Sequence, residues 1–262
     1  MDENVKEILT EGAKELAKES AKPFVSLLNP VCKAAGEGIG SLIDLVFFPV
    51  KALNDRAKVA QEKFKYKAAN LLNDIPKEKI VEPQLNKFGP ILEASKYYVE
   101  DEALSDMFAR LLASTCNSDT ASMAHVAYVD VIKQLTPIEA SIVKELYNNK
   151  NTRAAVTIKK EAKKVSKGGS ITILKNYLPT NILYEKKLNL DIYQSYISNL
   201  IRLSIITIDD QSYYTNEARY DCIRNDDIFK YYQEQYGDDF KYNKAIWSFT
   251  PFGELFAKIC LE

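Results

Sequence analysis

The sequence predicts a mainly helical fold that ends in a smaller α+β module. Three observations support this: apolar residues recur at helical spacing through the first half, helix caps precede several apolar runs, and two strand-like segments occur only after residue 190. The 262 residues are 46% hydrophobic and 27% charged, as in globular proteins. This length suits two domains, which we expect to be a helical domain, 1–135, and an α+β domain, 136–262.

The predicted N-terminal helical assembly contains three amphipathic patterns. The first begins at Val5, and the second runs from Leu53 to Ile75 and ends where Pro76 removes a backbone donor. The third covers residues 104–112 behind an acidic run at 100–102, whose charge suits a helix N-terminus. These segments indicate helices that bury one face each.

Residues 36–53, GEGIGSLIDLVFFPVKAL, are apolar almost all round and therefore require burial. The uninterrupted part, residues 39–50, would span about 18 Å as a helix against about 30 Å of hydrocarbon, so it is too short to cross a membrane alone. A buried central helix is one interpretation. The other is an insertable hairpin or interfacial anchor, in which the membrane contacts would come from Leu42, Val46 and Phe47.

The predicted C-terminal domain begins at the clearest helix start in the chain. Thr136 can cap the helix, Pro137 occupies its first position and Glu139 closes a capping box. A second helix is predicted over 191–203, with Asp191 as its N-cap and an inner face formed by Ile192, Tyr196, Ile197, Leu200 and Ile201.

Two predicted strands follow, at 204–208 and 245–249, and a closing helix starts at Thr250-Pro251. Helix, strand, excursion and strand is the order of a winged helix, so we expect a winged-helix-like domain. The excursion at 216–239 is long for a wing and has a helix-like pattern, which predicts a helix inserted in the wing. Of the 28 aromatic residues, 15 lie after residue 190. Two interpretations are open for them: packing in a core or interface, and stacking on nucleic-acid bases.

Charge is unevenly distributed although the net charge is only −1. Residues 151–190 carry 9 basic and 2 acidic groups, while both neighbouring stretches are acidic. Such a basic segment either contacts phosphates or is a solvated face that serves solubility. The candidate nucleic-acid contacts are Lys159, Lys160, Lys163, Lys164 and, at the end of the predicted helix, Arg202.

The residue types needed for common catalytic sites are scarce. His125 is the single histidine, which excludes any site built on two imidazoles, and it lies beside an apolar helix face where a structural role is more usual than catalysis. No nucleotide-binding, hydrolase or metalloprotease motif occurs, and the four cysteines do not have zinc-ligand spacing. Adjacent carboxylates such as Asp226-Asp227 read as surface composition. We therefore expect no catalytic site, metal or cofactor. The charged N-terminus lacks the features of a secretion signal, which favours a cytoplasmic protein.

Several ordered blocks of the chain resemble the Abi-alpha family, the abortive infection alpha proteins of bacterial antiphage defence. They are KPFVSLLNPVCKAAGEGIGSLIDLVFFPV, VEPQLNKFGPILEASKYYVEDEALSDMFARLLAS, HVAYVDVIKQLTPIEASIVKEL, SYISNLIRLSIITI and WSFTPFGELFAKIC. Val126 follows the histidine where the family usually has proline. The resemblance implies a role in limiting phage growth or killing the infected cell, and it brings no agreed catalytic residues.

Three classes of mechanism remain open. The first is a non-enzymatic effector that acts by interaction with a phage or host protein or with itself, and that associates with the membrane on activation through residues 36–53. The second is a DNA-binding regulator that uses the basic segment 151–190. Its reading helix would present only one cation, Arg202, and an acidic turn at Asp209 and Asp210 would face phosphate. An enzyme is the third class.

Overall fold

A computed structural model describes residues 55–149, 153–161 and 169–262. These residues form ten α-helices and one four-stranded antiparallel sheet, so the fold is mainly helical, as predicted. They divide into two compact units between Gln134 and Leu135, and each unit is described by itself. No helix in the described ranges is both long enough and apolar enough to span a membrane. The segment 36–53, with Leu42, Val46 and Phe47, lies outside these ranges.

The first unit contains four described helices: α1 (Asp55–Asn73), α2 (Leu85–Ser95), α3 (Glu102–Ser114) and α4 (Ala127–Lys133). Helix α3 packs against both α1 and α2. Its predicted start is confirmed, because the Asp101 side chain accepts the Leu104 amide at 3.0 Å. Phe64, Phe88 and Phe108 are almost fully buried at the centre of this unit. Burial of one face of each helix therefore holds the unit together.

The second unit begins with α5 (Pro137–Asn148), and its predicted capping box is present in full. Helices α6 (Asn181–Glu185) and α7 (Leu190–Arg202) follow later in the chain. The predicted N-cap of α7 is wrong by two residues, because Asn189 and not Asp191 caps it, accepting the Asp191 amide at 2.8 Å. The final helix α10 (Pro251–Leu261) starts as predicted, with the Thr250 hydroxyl accepting the Gly253 amide.

The inner face of α7 also differs from the prediction. Ile192 is 48% exposed, and Tyr193, Ile197 and Leu200 are the buried residues of the helix. These three positions are spaced by four and three residues and therefore share one side of a helix. Ile197 and Leu200 are thus buried as predicted, whereas Tyr193 takes the place of Ile192, and Tyr196 and Ile201 are half-buried.

The sheet has the order β2-β1-β4-β3, and every neighbouring pair is antiparallel. Its strands are β1 (Ala154–Glu161), β2 (Ser170–Tyr177), β3 (Ile206–Asp209) and β4 (Phe240–Phe249). The two predicted strands are confirmed with shifted or longer bounds. The sequence did not indicate β1 and β2, which place part of the basic segment in an antiparallel pair. Two register shifts interrupt this pair and bend β2 along its length.

Two helices, α8 (Asp221–Arg224) and α9 (Asp227–Tyr236), interrupt the connection between β3 and β4, where one inserted helix was predicted. Helix α9 packs on the sheet through Phe229, whose ring lies edge-on to Phe240 and to Tyr242 at 5.1 Å between centroids. Phe229, Tyr220 and Trp247 are all buried. Aromatic residues of this half therefore contribute to the core of the unit.

Candidate functional site

The described residues among those predicted to contact nucleic acid come from two elements, β1 and α7. Lys159 and Lys160 are consecutive in β1, so their side chains point to opposite faces of the sheet. Lys163 and Lys164 lie outside the described residues. Arg202 ends α7, and its guanidinium donates to the Asn199 side-chain oxygen at 3.0 and 2.7 Å. Arg202 is therefore hydrogen-bonded within its own helix.

Lys160 packs against an aromatic ring. Its ammonium lies 5.0 Å from the centre of the Tyr236 ring, on the face of the sheet that α9 covers. Lys159 is on the opposite face, where Lys241 of β4 is its direct cross-strand neighbour. The geometry separates the two lysines that the sequence placed together.

The exposed side of α7 carries little positive charge. Ser195 and Ser198 are exposed, Gln194 is half-buried, and the Nε2 atom of Gln194 is buried without a hydrogen-bond partner among the described residues. Asn199 donates to the buried Glu139 carboxylate at 2.7 Å, which ties α7 to α5.

A cleft of about 440 Å³ in the second unit is lined by polar and apolar side chains. The end of α5, the loop before α6, and residues of α6, α8 and β4 surround it. Trp247, Leu146 and Leu178 supply apolar surface, and Glu145 and Asp226 supply two carboxylates. None of the described residues that line the cleft is basic. No motif in the sequence indicated this site.

The Asp226 carboxylate accepts several hydrogen bonds at the cleft. Asp226 is only 9% exposed, which corrects its interpretation as a surface residue. Its carboxylate accepts the Tyr177 hydroxyl at 2.6 Å and the Tyr184 hydroxyl, and it caps α9 by accepting the amides of Ile228 at 3.0 Å and Phe229 at 3.3 Å. An aspartate followed by an apolar run is a recognisable cap signal, but its tyrosine partners lie 49 and 42 residues away.

Burial is the main reason that the pKa values of Tyr177 and Tyr184 lie far above that of a free tyrosine, and hydrogen bonding to Asp226 is the second. Both hydroxyls therefore stay protonated and act as donors at physiological pH. Tyr184 is 43% exposed, so its ring forms part of the accessible wall of the cleft. The arrangement provides a fixed wall with a neutral phenol next to a carboxylate.

Glu145 of α5 supplies the second carboxylate and caps a neighbouring helix, α6. Its two oxygens accept the backbone amides of Asn181 at 2.6 Å and Ile182 at 3.1 Å, at the start of α6. The exposed side chains of Asn148 and Asn181 lie at the cleft as well. The carboxylates can bind a cationic or polar side chain and disfavour phosphate, and the amides can hydrogen-bond to any polar group.

Nothing in the cleft resembles an activated nucleophile. Cys222 is exposed at the cleft, and partial desolvation by the surrounding protein raises the pKa of its thiol, which lowers the thiolate fraction. His125 lies in the first unit, where its Nδ1 atom accepts the Ala127 amide at 3.0 Å. Within the described residues no group of three potential metal ligands occurs.

Comparison with known proteins identifies the family. A family model described as "Abortive infection alpha" matches residues 56–260, most of the chain. No curated protein and no solved structure matches the chain. The match includes α5, α6, α8 and β4, the elements that line the cleft. The resemblance noted in the sequence is thus confirmed, and the chain belongs to the abortive infection alpha family.

Proposed function

We propose that this protein restricts phage infection by binding a protein partner through the cleft of its second unit. The observation that supports this is the charge of the cleft, since two carboxylates line it and none of its described lining residues is basic. Phosphate is repelled by such a surface, whereas an arginine, a lysine or a polar side chain of a protein is attracted. We further propose that the protein acts in the cytoplasm without catalysing a reaction.

The second candidate is DNA binding by a winged-helix domain, and element order favours it. Taken in chain order, α5, β1, α6, α7, β3 and β4 follow the winged-helix sequence, with β2 and the α8–α9 pair as additions. In that fold α7 would enter the major groove. Its charge argues against this role, because Arg202 is the one basic residue of α7 and the acidic pair Asp209-Asp210 lies at the end of β3. Protein binding is therefore the better supported function.

The test uses substitutions at the mouth of the cleft that leave its hydrogen bonds in place. Asn148 and Asn181 are exposed there, so Asn148→Arg with Asn181→Arg adds bulk and offsets the negative charge of the two carboxylates. The matched control is Gln235→Arg at an exposed position of α9. In a plaque assay we expect the double variant to lose protection and the control to keep it.

A direct measurement identifies what binds. A photo-cross-linking amino acid at position 184, on the accessible wall, should form a protein adduct during infection, and the arginine pair should abolish that adduct. Cross-linking to nucleic acid instead of protein, or full protection by the arginine pair, would overturn the proposal.

A further inference from the structure

We infer that the open face of the sheet formed by Lys159, Lys241 and Thr172 binds the phosphate backbone of a nucleic-acid strand. This site is separate from the carboxylate-lined cleft and does not depend on its function. It also differs from sequence reading by α7, because it requires neither a groove-binding helix nor Arg202.

The sheet register brings these three residues into one row. Lys159 of β1 pairs with Lys241 of β4 on one side and with Thr172 of β2 on the other. Cross-strand partners project from the same face, with Cβ atoms about 4.5–5.5 Å apart. Two ammonium groups and a hydroxyl can therefore reach the same phosphate.

Polar side chains extend this row along the same face. Thr157 and Asn243 are the next cross-strand pair, two residues further along both strands. Asn243 is exposed, while the Thr157 hydroxyl accepts the Asn176 amide at 3.4 Å. Lysine ammonium groups, threonine hydroxyls and asparagine amides are the donors that commonly contact phosphate oxygens.

The lysine pair is incompletely neutralised in the described protein. Like charges directly opposite each other destabilise a sheet. Lys159 has no ion pair within the described ranges, and Lys241 has a single long contact of 3.9 Å with Glu161. Lys241 and Glu161 keep 58% and 49% of their side-chain surface exposed. An anion between the two ammonium groups would remove their repulsion, which is the specific reason to expect one here.

Two solvent-exposed lysines favour a polymer with many phosphates over a small anion. A single phosphate on an exposed sheet gains little from two solvated lysines, because water and salt screen the attraction. A strand with many phosphates gains affinity from each counterion that it releases. The donors of this row suit phosphate, and phosphate contacts carry no sequence information, so we expect binding without sequence preference.

The test measures binding of labelled single-stranded DNA, duplex DNA and RNA by the full chain over a range of salt concentrations. Lys159→Gln with Lys241→Gln should flatten the plot of log affinity against log salt by about 1.4–1.8, the contribution of two phosphate contacts, and should weaken binding by about tenfold or more at low salt. The control pair Lys144→Gln with Lys230→Gln removes the same charge from exposed positions of the same unit and should keep the wild-type slope.

Further arms separate the other outcomes. Lys159→Arg with Lys241→Arg keeps both charges and should retain the slope, and an unchanged Trp247 fluorescence spectrum verifies folding of each variant. Equal slopes for the two glutamine pairs would overturn the inference. So would wild-type protein that binds only inorganic polyphosphate or vesicles of anionic lipid. Loss of protection in the cleft variants with nucleic-acid binding intact would separate this site from the proposed partner function.

Discussion

Removal of the Asp226 carboxylate should destabilise the second unit by an amount that can be worked out from its contacts. In Asp226→Ala, α9 loses its N-cap, which costs about 0.5–2 kcal/mol. The Tyr177 hydroxyl is fully buried and loses its 2.6 Å acceptor, which adds about 1–3 kcal/mol. Tyr184 is partly exposed and can bond to water instead. We therefore expect a loss of about 2–4 kcal/mol in the free energy of unfolding.

Urea denaturation followed by Trp247 fluorescence measures this loss in the correct unit. Trp247 is the single tryptophan of the chain, it is 2% exposed, and it lines the same cleft. Its emission therefore reports unfolding of the second unit without interference from the first.

Two control variants test the reasoning. Asp226→Asn keeps a side-chain acceptor and a good N-cap, so it should cost about 1 kcal/mol or less. In a Tyr177→Phe background, Asp226→Ala should cost clearly less than in the wild type, because no buried hydroxyl is left without a partner. If Asp226→Asn is as damaging as Asp226→Ala, or if Asp226→Ala costs under about 0.5 kcal/mol, the hydrogen-bond account is refuted.

Three further predictions follow from other parts of the chain. Burial raises the pKa of Tyr177, so its contribution to stability is complete below the unfolded-state pKa of about 10 and is lost as pH rises above it; unfolding midpoints of Tyr177→Phe should decline less above pH 10 than those of the wild type. In Gly253→Ala the new Cβ would lie 2.6 Å from the carbonyl carbon of Ile205 and closer still to its oxygen, and we expect a cost of about 3 kcal/mol or more in the same urea assay; a near-neutral result would mean that α10 can shift freely. If the segment 36–53 inserts into bilayers, dye leakage from liposomes should fall when aspartate replaces Leu42, Val46 and Phe47. Wild-type protein that causes no leakage would refute the membrane hypothesis.

Helix starts could be predicted from sequence because a cap and its partner lie within a few residues. Thr136 and Glu139 bond to each other's backbone amides across three residues, and Thr250 and Asp101 cap their helices over the same distance. Such contacts form regardless of what the rest of the chain does. The prediction failed at α7 because two polar residues, Asn189 and Asp191, offer equivalent caps two positions apart, and local chemistry does not choose between them.

Strands β1 and β2 were hidden for the opposite reason. Strand β1 also pairs with β4, which follows it by about eighty residues, and Lys159 and Lys160 near the end of β1 read as part of a solvated segment. The register shifts in β2 also break the alternation of apolar and polar residues by which a strand is recognised. Only pairing across the sheet reveals that Lys159 and Lys241 are neighbours.

The net charge of the segment 151–190 and the charges of the residues that line the cleft suggest different binding partners for this protein. Residues 151–190 carry a net charge of about +7 by the counts of 9 basic and 2 acidic groups, which favours nucleic acid throughout that stretch. The same stretch nevertheless supplies Leu178, Thr180 and Tyr184 to a cleft whose charged lining residues, Glu145 and Asp226, come from outside it. Its lysines in β1 divide between the two faces of the sheet, with Lys159 on one face and Lys160 on the other. A single sequence block can therefore contribute to an anion-binding face and to an anion-repelling cleft, and variants of each surface should affect different partners.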